Sequence, residues 1–481
     1  MPENMNKTFS FQMMKRAQER TSRDGPVAYV RVHISHTGQL AALLLYGILG
    51  VGCSTTALEL DAISDDFGKE AREHGEEDRA DSSLIRGSCA DGSCQAEIVS
   101  ISSSGLPSDG GSTLPNLSAD GRYVSFESVA TNLVENDTNE VWDVFVRDRQ
   151  LRTTSRVSLH TAGTQANESS GFAKISGNGR FVVFTSLASN LVDDDTNGVR
   201  DVFVHDVERH ETSRVSVGPS GLQGEEESGF HASISADGQT IVFETESALV
   251  PNDDNEASDI YAHFLERRET ICLSTDRDGH VGDGKSVEPV ISPDGHFVAF
   301  ISCGSNLVEG GSNDWCELFV HDLTNGATSR VDEIAEEGCL GCSPLNMSGD
   351  GRYLSLINGG EGPMLALIDL VDHTYVGIAV LGEGVVSGDG KLVAYDSRAP
   401  SGCLDDEHGN VDIFVAYVGE NKLVRLTSPV LNAPRPNAGN YAGADISADG
   451  RVIAFISDDD PTLVEGDLKG VSNVFVALVP R

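Results

Sequence analysis

Ser176-Gly-Asn-Gly-Arg-Phe-Val-Val-Phe-Thr-Ser186 is the stretch on which the fold turns. Asn178-Gly179 is a tight-turn pair, because both residues accept positive φ at little cost. The residues after it alternate in a way that buries every second side chain of a strand. The same signal occurs seven times, as Ser-x-Asp/Asn-Gly at Ser118–Gly121, Ser176–Gly179, Ser235–Gly238, Ser292–Gly295, Ser348–Gly351, Ser387–Gly390 and Ser447–Gly450. The glycine intervals are 58, 59, 57, 56, 39 and 60 residues. Five residues after each Gly stands Phe126, Phe184, Phe243, Phe300, Leu356, Tyr395 or Phe455. Outward from the turn, each unit has a short apolar strand before it, such as Ala173-Lys-Ile175, and the alternating strand after it. A long polar loop then leads to a third strand, such as Asp201-Val-Phe-Val, and a fourth, such as Thr212-Ser-Arg-Val-Ser. Unit five is shorter and lacks the long loop.

Four-stranded units at this period predict an all-β fold, a seven-bladed β-propeller. The termini predict how it closes. The last unit ends after its third strand, Asn473-Val-Phe-Val, while a spare strand, Glu97-Ile-Val-Ser-Ile-Ser102, precedes the first unit. An open ring would leave strand edges unpaired. Residues 96–103 are therefore expected to pair with the last blade, and the propeller to span 96–481.

Glu288-Pro-Val-Ile-Ser-Pro-Asp-Gly295 with Phe297-Val-Ala-Phe300, and Pro115-Asn-Leu-Ser-Ala-Asp-Gly121 with Tyr123-Val-Ser-Phe126, resemble the WD-repeat-like units of the TolB-like propeller family. The resemblance covers residues 96–481. It implies a protein- or ligand-binding scaffold of the bacterial envelope. The separate N-terminal domain of TolB has no counterpart here. The Gly-x-Ser-x-Gly elbow of propeller peptidases and the sialidase Asp-box pattern are not met either.

The N-terminus reads as an address. Six Lys/Arg and three acids in residues 1–36 precede an apolar run from Leu40 to Gly52, which is too short to span a bilayer. Gly52-Cys53-Ser54 resembles a bacterial lipoprotein cleavage box, which implies that residues 1–53 form a signal/lipoprotein segment in which Cys53 is lipidated and becomes the new N-terminus, and that the chain is sorted to the outer membrane. Residues 54–95, with eleven Asp/Glu against four Lys/Arg, read as an acidic tether. The membrane is then touched only through the lipid, with the domain facing the periplasm or cell surface. Eight Cys remain once Cys53 is set aside. Cys89/Cys94, Cys303/Cys316 and Cys339/Cys342 are the disulfide candidates, and Cys272 and Cys403 are left over.

Charge narrows the partners. The chain has 34 Lys/Arg against 75 Asp/Glu, a formal charge of −41, which argues against nucleic acid as a partner. Much of that acid lies in the loops before the third strands. Asp193, Asp195, Asn197 and Asp201 in Asp193-Asp-Asp-Thr-Asn-Gly-Val-Arg-Asp201 have a spacing that supplies oxygen ligands to calcium. Asp137, Asn139 and Asp143 make a partial copy, as do Asp253, Asn255 and Asp259. The competing reading is an Asx-turn, favoured because the loop recurs where the acids are missing.

His205, His263 and His321 recur at one repeat position, where unit one has Arg147. Equivalent positions in different blades lie apart, so these histidines are expected to be exposed or hydrogen-bonded strand residues. Trp142 and Trp315 sit at loop-to-strand junctions and could serve a binding face or pack between blades. The loops 133–142, 191–200, 250–258 and 401–411 are expected on one rim.

The leading expectation is a non-enzymatic scaffold whose partner is an envelope or extracellular protein, or a glycan. The alternative is a secreted propeller hydrolase or lyase acting on glycans or peptides at the central channel. The discriminator is whether titratable side chains converge at the channel mouth. The first strands offer Asn116, Lys174, Ser233 and Asp445.

Overall fold

A computed structural model describes residues 31–33, 96–311, 316–331, 343–358, 364–372, 374–377, 383–398, 411–420, 422–426, 442–458 and 471–479. Seven antiparallel sheets follow one another along the chain. Blade 1 is Ser112–Leu117, Tyr123–Ser128, Asp143–Asp148 and Thr153–Arg156. Blade 2 is Ser170–Ile175, Phe181–Ser186, Asp201–Asp206 and Glu211–Arg214. Blade 3 is Ser228–Ile234, Thr240–Thr245, Asp259–Phe264 and Glu269–Cys272. Blades 4, 5 and 6 repeat the arrangement within 286–330, 343–377 and 384–425. Blade 5 carries an extra outer strand, Arg31–His33, paired with Thr374–Val376. Those three residues come from the segment whose sequence reads as an export signal.

Blade 7 takes its fourth strand from the other end of the domain. Ala96, Glu97 and Ile98 pair with Ala477, Val476 and Phe475. Ser100 Oγ donates to Asn473 Oδ1 at 2.8 Å, and Arg149 of blade 1 bridges to Glu97 at 2.9 Å. The ring closes as the unpaired edges predict. The first strands touch one another in cyclic order, blade 7 against blade 1, and so surround the axis.

The repeated turn does two jobs. Its Ser hydroxyl donates to the turn Asp and accepts the N–H five residues on: Ser118 Oγ lies 2.7 Å from Asp120 Oδ1 and 2.9 Å from Tyr123 N. The turn glycine is required twice over at Gly179. Its φ is +73°, and a Cβ there would sit 2.2 Å from the Tyr123 ring of the preceding blade. Each turn also hydrogen-bonds to the next through its backbone, and Asn178 Nδ2 adds a side-chain donor to Asp237 O at 2.9 Å. The links run from Ala119 to Gly177, Asn178 to Ala236, Ala236 to Pro293 and Asp294 to Gly349. They continue from Gly349 to Gly388 and Asp389 to Ala448, and Ala448 returns to Ala119. This closed backbone circuit cinches one end of the channel.

The core lies between blades. The aromatic after each turn stacks on one from the third strand of its own blade, as in Phe184–Phe203 with centroids 5.8 Å apart. Both rings are fully buried. Blade 5, with Leu356, is the one without such a pair. Cys303 and Cys316 form a disulfide at the mouth end of blade 4, with Cα atoms 4.0 Å apart. Cys272 is a free thiol. Cys53, Cys89, Cys94, Cys339, Cys342, Cys403 and Trp315 lie outside the described residues.

Candidate functional site at the channel mouth

Away from the turns, the first strands loosen. In blades 1, 2, 3, 4, 5 and 7 the register of the innermost pair shifts, so an extra residue is pushed out of the ladder. Leu114, Phe172 and Glu288 occupy equivalent bulge positions with φ of +48°, +53° and +58°. Gly443 fills the same position in blade 7, and Gly229 serves the longer bulge of blade 3. Bulky residues in this region are strained, and such strain concentrates at functional sites.

At one position near the turn end of the first strand, blades 1, 3, 5 and 7 clasp a neighbouring blade, while blades 4 and 6 have Val290 and Val385 there. Asn116 Oδ1 accepts from Ile175 N at 2.8 Å, and Asn346 Oδ1 accepts from Val386 N at 2.8 Å. Ser233 Oγ accepts from Ile291 N at 3.4 Å, and Asp445 Oδ2 accepts from Leu117 N at 2.6 Å. Asn116 Nδ2 also donates to Asp445. Lys174 stands at this position in blade 2 and cannot accept a hydrogen bond. Its side chain is exposed, and among the described residues it is in no salt bridge. It lies within electrostatic reach of Glu127, Asp445 and His231.

Glu127 is one of the buried acids of this set. It follows Phe126 on the second strand of blade 1, and its Oε1 accepts from Ala173 N of blade 2 at 3.3 Å. Burial pushes its carboxyl up to about 7, against the lowering effect of the Ala173 and Phe172 N–H groups and of Lys174. Glu244 is the same residue of blade 3. Its Oε2 accepts from Glu288 N at 2.6 Å, and its Oε1 lies 3.1 Å from His231 Nδ1. That hydrogen bond raises the His231 imidazole above its ordinary range, opposed by burial and assisted by Glu288. Glu288 Oε2 is buried without a partner. Burial likewise raises Asp445. Blade 6 repeats the acid position with Asp396, raised to about 6 by burial.

The mouth therefore gathers Glu127, Lys174, His231, Glu244, Glu288 and Asp445 from five blades. Of the four first-strand residues nominated by sequence, Asn116, Ser233 and Asp445 are clasps and Lys174 is not. Glu127, Glu244, His231 and Glu288 escaped the sequence reading. A signal for the first two existed: an acid between the aromatic and the hydroxyl of a strand whose other positions are apolar.

The acid-rich loops are organised by arginine. In blade 2, Arg214 Nη1 lies 3.0 Å from Asp195 and 3.1 Å from Asp201, and Asn197 Nδ2 donates to Asp201 at 2.9 Å. Arg214, Asp195 and Asp201 are all buried. Asp193 points away, 96% exposed, with His160 Nε2 at 3.7 Å. So three of the four candidate calcium ligands come together around a guanidinium, and the fourth faces solvent. Blade 1 does the same with Arg156 on Asp137 and Asp143, at 2.9 and 3.1 Å. Blade 3 keeps Asp253, Asn255 and Asp259 but has Cys272 where the others have Arg. Burial without a cation pushes Asp259 up to about 7, and burial beside Asp259 pushes the Cys272 thiol up to about 12.

His205, His263 and His321 are buried rather than exposed. Each places Nδ1 2.9 Å from a threonine hydroxyl: Thr212, Thr270 or Thr328. Those hydroxyls donate onward to Leu159, Val217 and Thr275 carbonyls, so the imidazole must donate. Arg147, an obligate donor, fills the same place in blade 1, 3.0 Å from Thr154 Oγ1. Burial lowers His205 and His263 to about 4. They are structural neutral donors far from the mouth. Trp142 is 37% exposed at its junction.

These features define a closed seven-bladed propeller with a charged channel mouth. No protein-family model matches the chain, and no curated protein matches it. Solved structures share the fold. An oligogalacturonate lyase in complex with manganese is 14% identical, with TM-score 0.52, over 83% of this chain and 96% of that one. TolB from Acinetobacter baumannii is 13% identical, with TM-score 0.38, over 76% and 82%. The propeller domain of the Trilobed protease from Pyrococcus furiosus is 11% identical, with TM-score 0.46, over 76% and 95%. Among the described residues of this chain, no three His, Cys, Asp or Glu side chains gather closely enough to hold a metal ion.

Proposed function

We propose that this propeller is an exported enzyme, a hydrolase or lyase that cleaves a glycan or peptide at the mouth of its central channel. The observation that carries the reading is the convergence of titratable groups from five blades beside strained bulges, at the end of the channel opposite the cinched turns. Glu127, near neutrality, is suited to give a proton to a leaving group or take one from an attacking water. His231, held by Glu244, is a second proton carrier. Lys174, free of the clasp its neighbours make, balances negative charge that develops at the reacting centre. In the same proposal Cys53 carries the lipid that holds the domain at the outer membrane, and residues 54–95 hold it off the surface.

The test is turnover by the full propeller on a panel of neutral and acidic polysaccharides and on casein, read as new reducing ends, unsaturated uronate absorbance and released peptides. Glu127→Gln is expected to lower turnover by about 10²–10⁴. Lys174→Met is expected to lower it less. No turnover on any panel member returns the chain to the scaffold reading, with an envelope or extracellular protein as its partner; full activity in Glu127→Gln removes Glu127 from the chemistry.

A further inference from the structure

The mouth also holds an apolar group that the chemistry above does not use. Phe172 sits at the blade 2 bulge, two residues before Lys174, and its backbone N–H hydrogen-bonds the Glu127 carboxylate. Its φ of +53° is one that a phenylalanine adopts only under strain, and Gly443 shows that glycine serves the same position in blade 7. Yet 41% of Phe172 is exposed. The ring therefore contributes little to the core and costs backbone energy where a glycine would cost none. Leu114, equivalent in blade 1, is 42% exposed at φ +48°. The Arg200 guanidinium lies over the Phe172 ring, 5.9 Å from its centroid, and helps to fix its orientation.

We infer that Phe172 is a stacking platform for a sugar ring, so that the substrate of the proposed site is a glycan rather than a peptide. This rests on the reading of the mouth as a site of cleavage. Sugar rings present one face of C–H groups that packs on an aromatic, while their hydroxyls need polar partners around the edge. Phe172 offers the apolar surface, and Lys174, Glu127 and Arg200 surround it with charged and hydrogen-bonding groups. A glycosidic bond leaving the platform toward Glu127 meets a carboxyl able to protonate its oxygen. An extended peptide would instead seek a free strand edge for backbone pairing. The first strands are the edges of their sheets, but N–H groups along those edges are already taken by side chains of the preceding blade: Ala173 by Glu127, Ile175 by Asn116, Glu288 by Glu244 and Ile291 by Ser233.

The experiment uses the full propeller and saturation-transfer NMR with cellotriose, chitotriose, trigalacturonate and pentaalanine as probes. At least one trisaccharide is expected to receive saturation through its ring C–H protons. Phe172→Gly is expected to weaken that sugar at least tenfold, with thermal stability unchanged or raised because the strain is relieved. Phe172→Tyr is expected to retain binding. The idea is overturned if no trisaccharide binds, or if Phe172→Gly binds as tightly as the parent. The two proposals fail separately. Sugar binding that needs Phe172, without turnover, removes the enzyme and keeps the platform. Peptide turnover lost in Glu127→Gln, without sugar binding, keeps the enzyme and removes the platform.

Discussion

Two acid-rich regions of this propeller solve the same electrostatic problem in opposite ways. In the outer loops of blades 1 and 2, each pair of buried carboxylates is met by a buried arginine at hydrogen-bond distance. At the channel mouth, Glu127, Glu244, Glu288 and Asp445 share Lys174 and one histidine, and Glu127 stays protonated to about pH 7. Acid that is matched holds loops; acid left unmatched beside solvent is poised to exchange protons. Blade 3 falls between the two, with the loop acids in place and the arginine gone.

The largest effect is expected from breaking the match. Arg214→Met leaves Asp195 and Asp201 buried without their cation. Such a loss costs about 3–5 kcal/mol, to be read from urea unfolding against the parent. The same variant sharpens the calcium question. With the guanidinium gone, Asp195, Asn197 and Asp201 become available oxygens, so added calcium should recover part of the lost stability in Arg214→Met and leave the parent unmoved. Recovery in the parent as well would show that the loop binds calcium beside its arginine.

A smaller effect, of the opposite sign, is expected at the mouth. The Glu127 carboxyl is raised from 4.5 to about 7 in the folded chain. Between those pH values the folded state binds the proton and the unfolded state does not. The parent therefore loses stability as pH rises from 4.5 to 7, and carries the full cost above 7. Glu127→Gln keeps the acceptor for Ala173 N–H without that cost. It should match the parent near pH 4 and exceed it by on the order of 2 kcal/mol at pH 8. His205 and His263 tilt the background the other way. Their folded values near 4 lie below the ordinary 6.5, so both proteins weaken as pH falls from 6.5 toward 4. The difference between the two proteins isolates Glu127.

The contrast between the regions also explains what the sequence makes legible. Blade number, turn chemistry and ring closure follow from a signal repeated seven times, and each turn repeats the same hydrogen bonds. The arginine match was within reach: Asp137 and Arg156, like Asp195 and Arg214, are 19 residues apart in the same two units. It stayed hidden because calcium and arginine ask the same oxygens of a loop. The mouth is less legible for a different reason. His231, Glu288 and Phe172 lie in bulges, where an extra residue breaks the period-2 rule that assigns side chains to faces. Lys174 is visible in the sequence, but its isolation is not. It emerges only once Asn116, Ser233, Asn346 and Asp445 are seen reaching for a neighbouring blade.

Blade 3 allows the matched state to be rebuilt. Asp259 accepts from Asn255 Nδ2 at 2.7 Å and from Ser274 Oγ at 2.6 Å, so the loop frame of blades 1 and 2 is already present. Only the cation is missing, and the carboxyl answers by rising to about 7. Cys272→Arg places a guanidinium where Arg156 and Arg214 stand in the preceding blades. The larger side chain has to find room beside Tyr261, whose hydroxyl donates to Asp253. Charge-assisted hydrogen bonds gain about 1.5–3 kcal/mol, and fitting the longer chain gives part of that back. A net gain of about 1 kcal/mol is expected at pH 8. It should shrink as pH falls below about 7, where Asp259 of the parent takes up a proton and loses its burial cost. A gain independent of pH would mean that the arginine packs without meeting Asp259, and the parallel between blade 3 and its neighbours would fail.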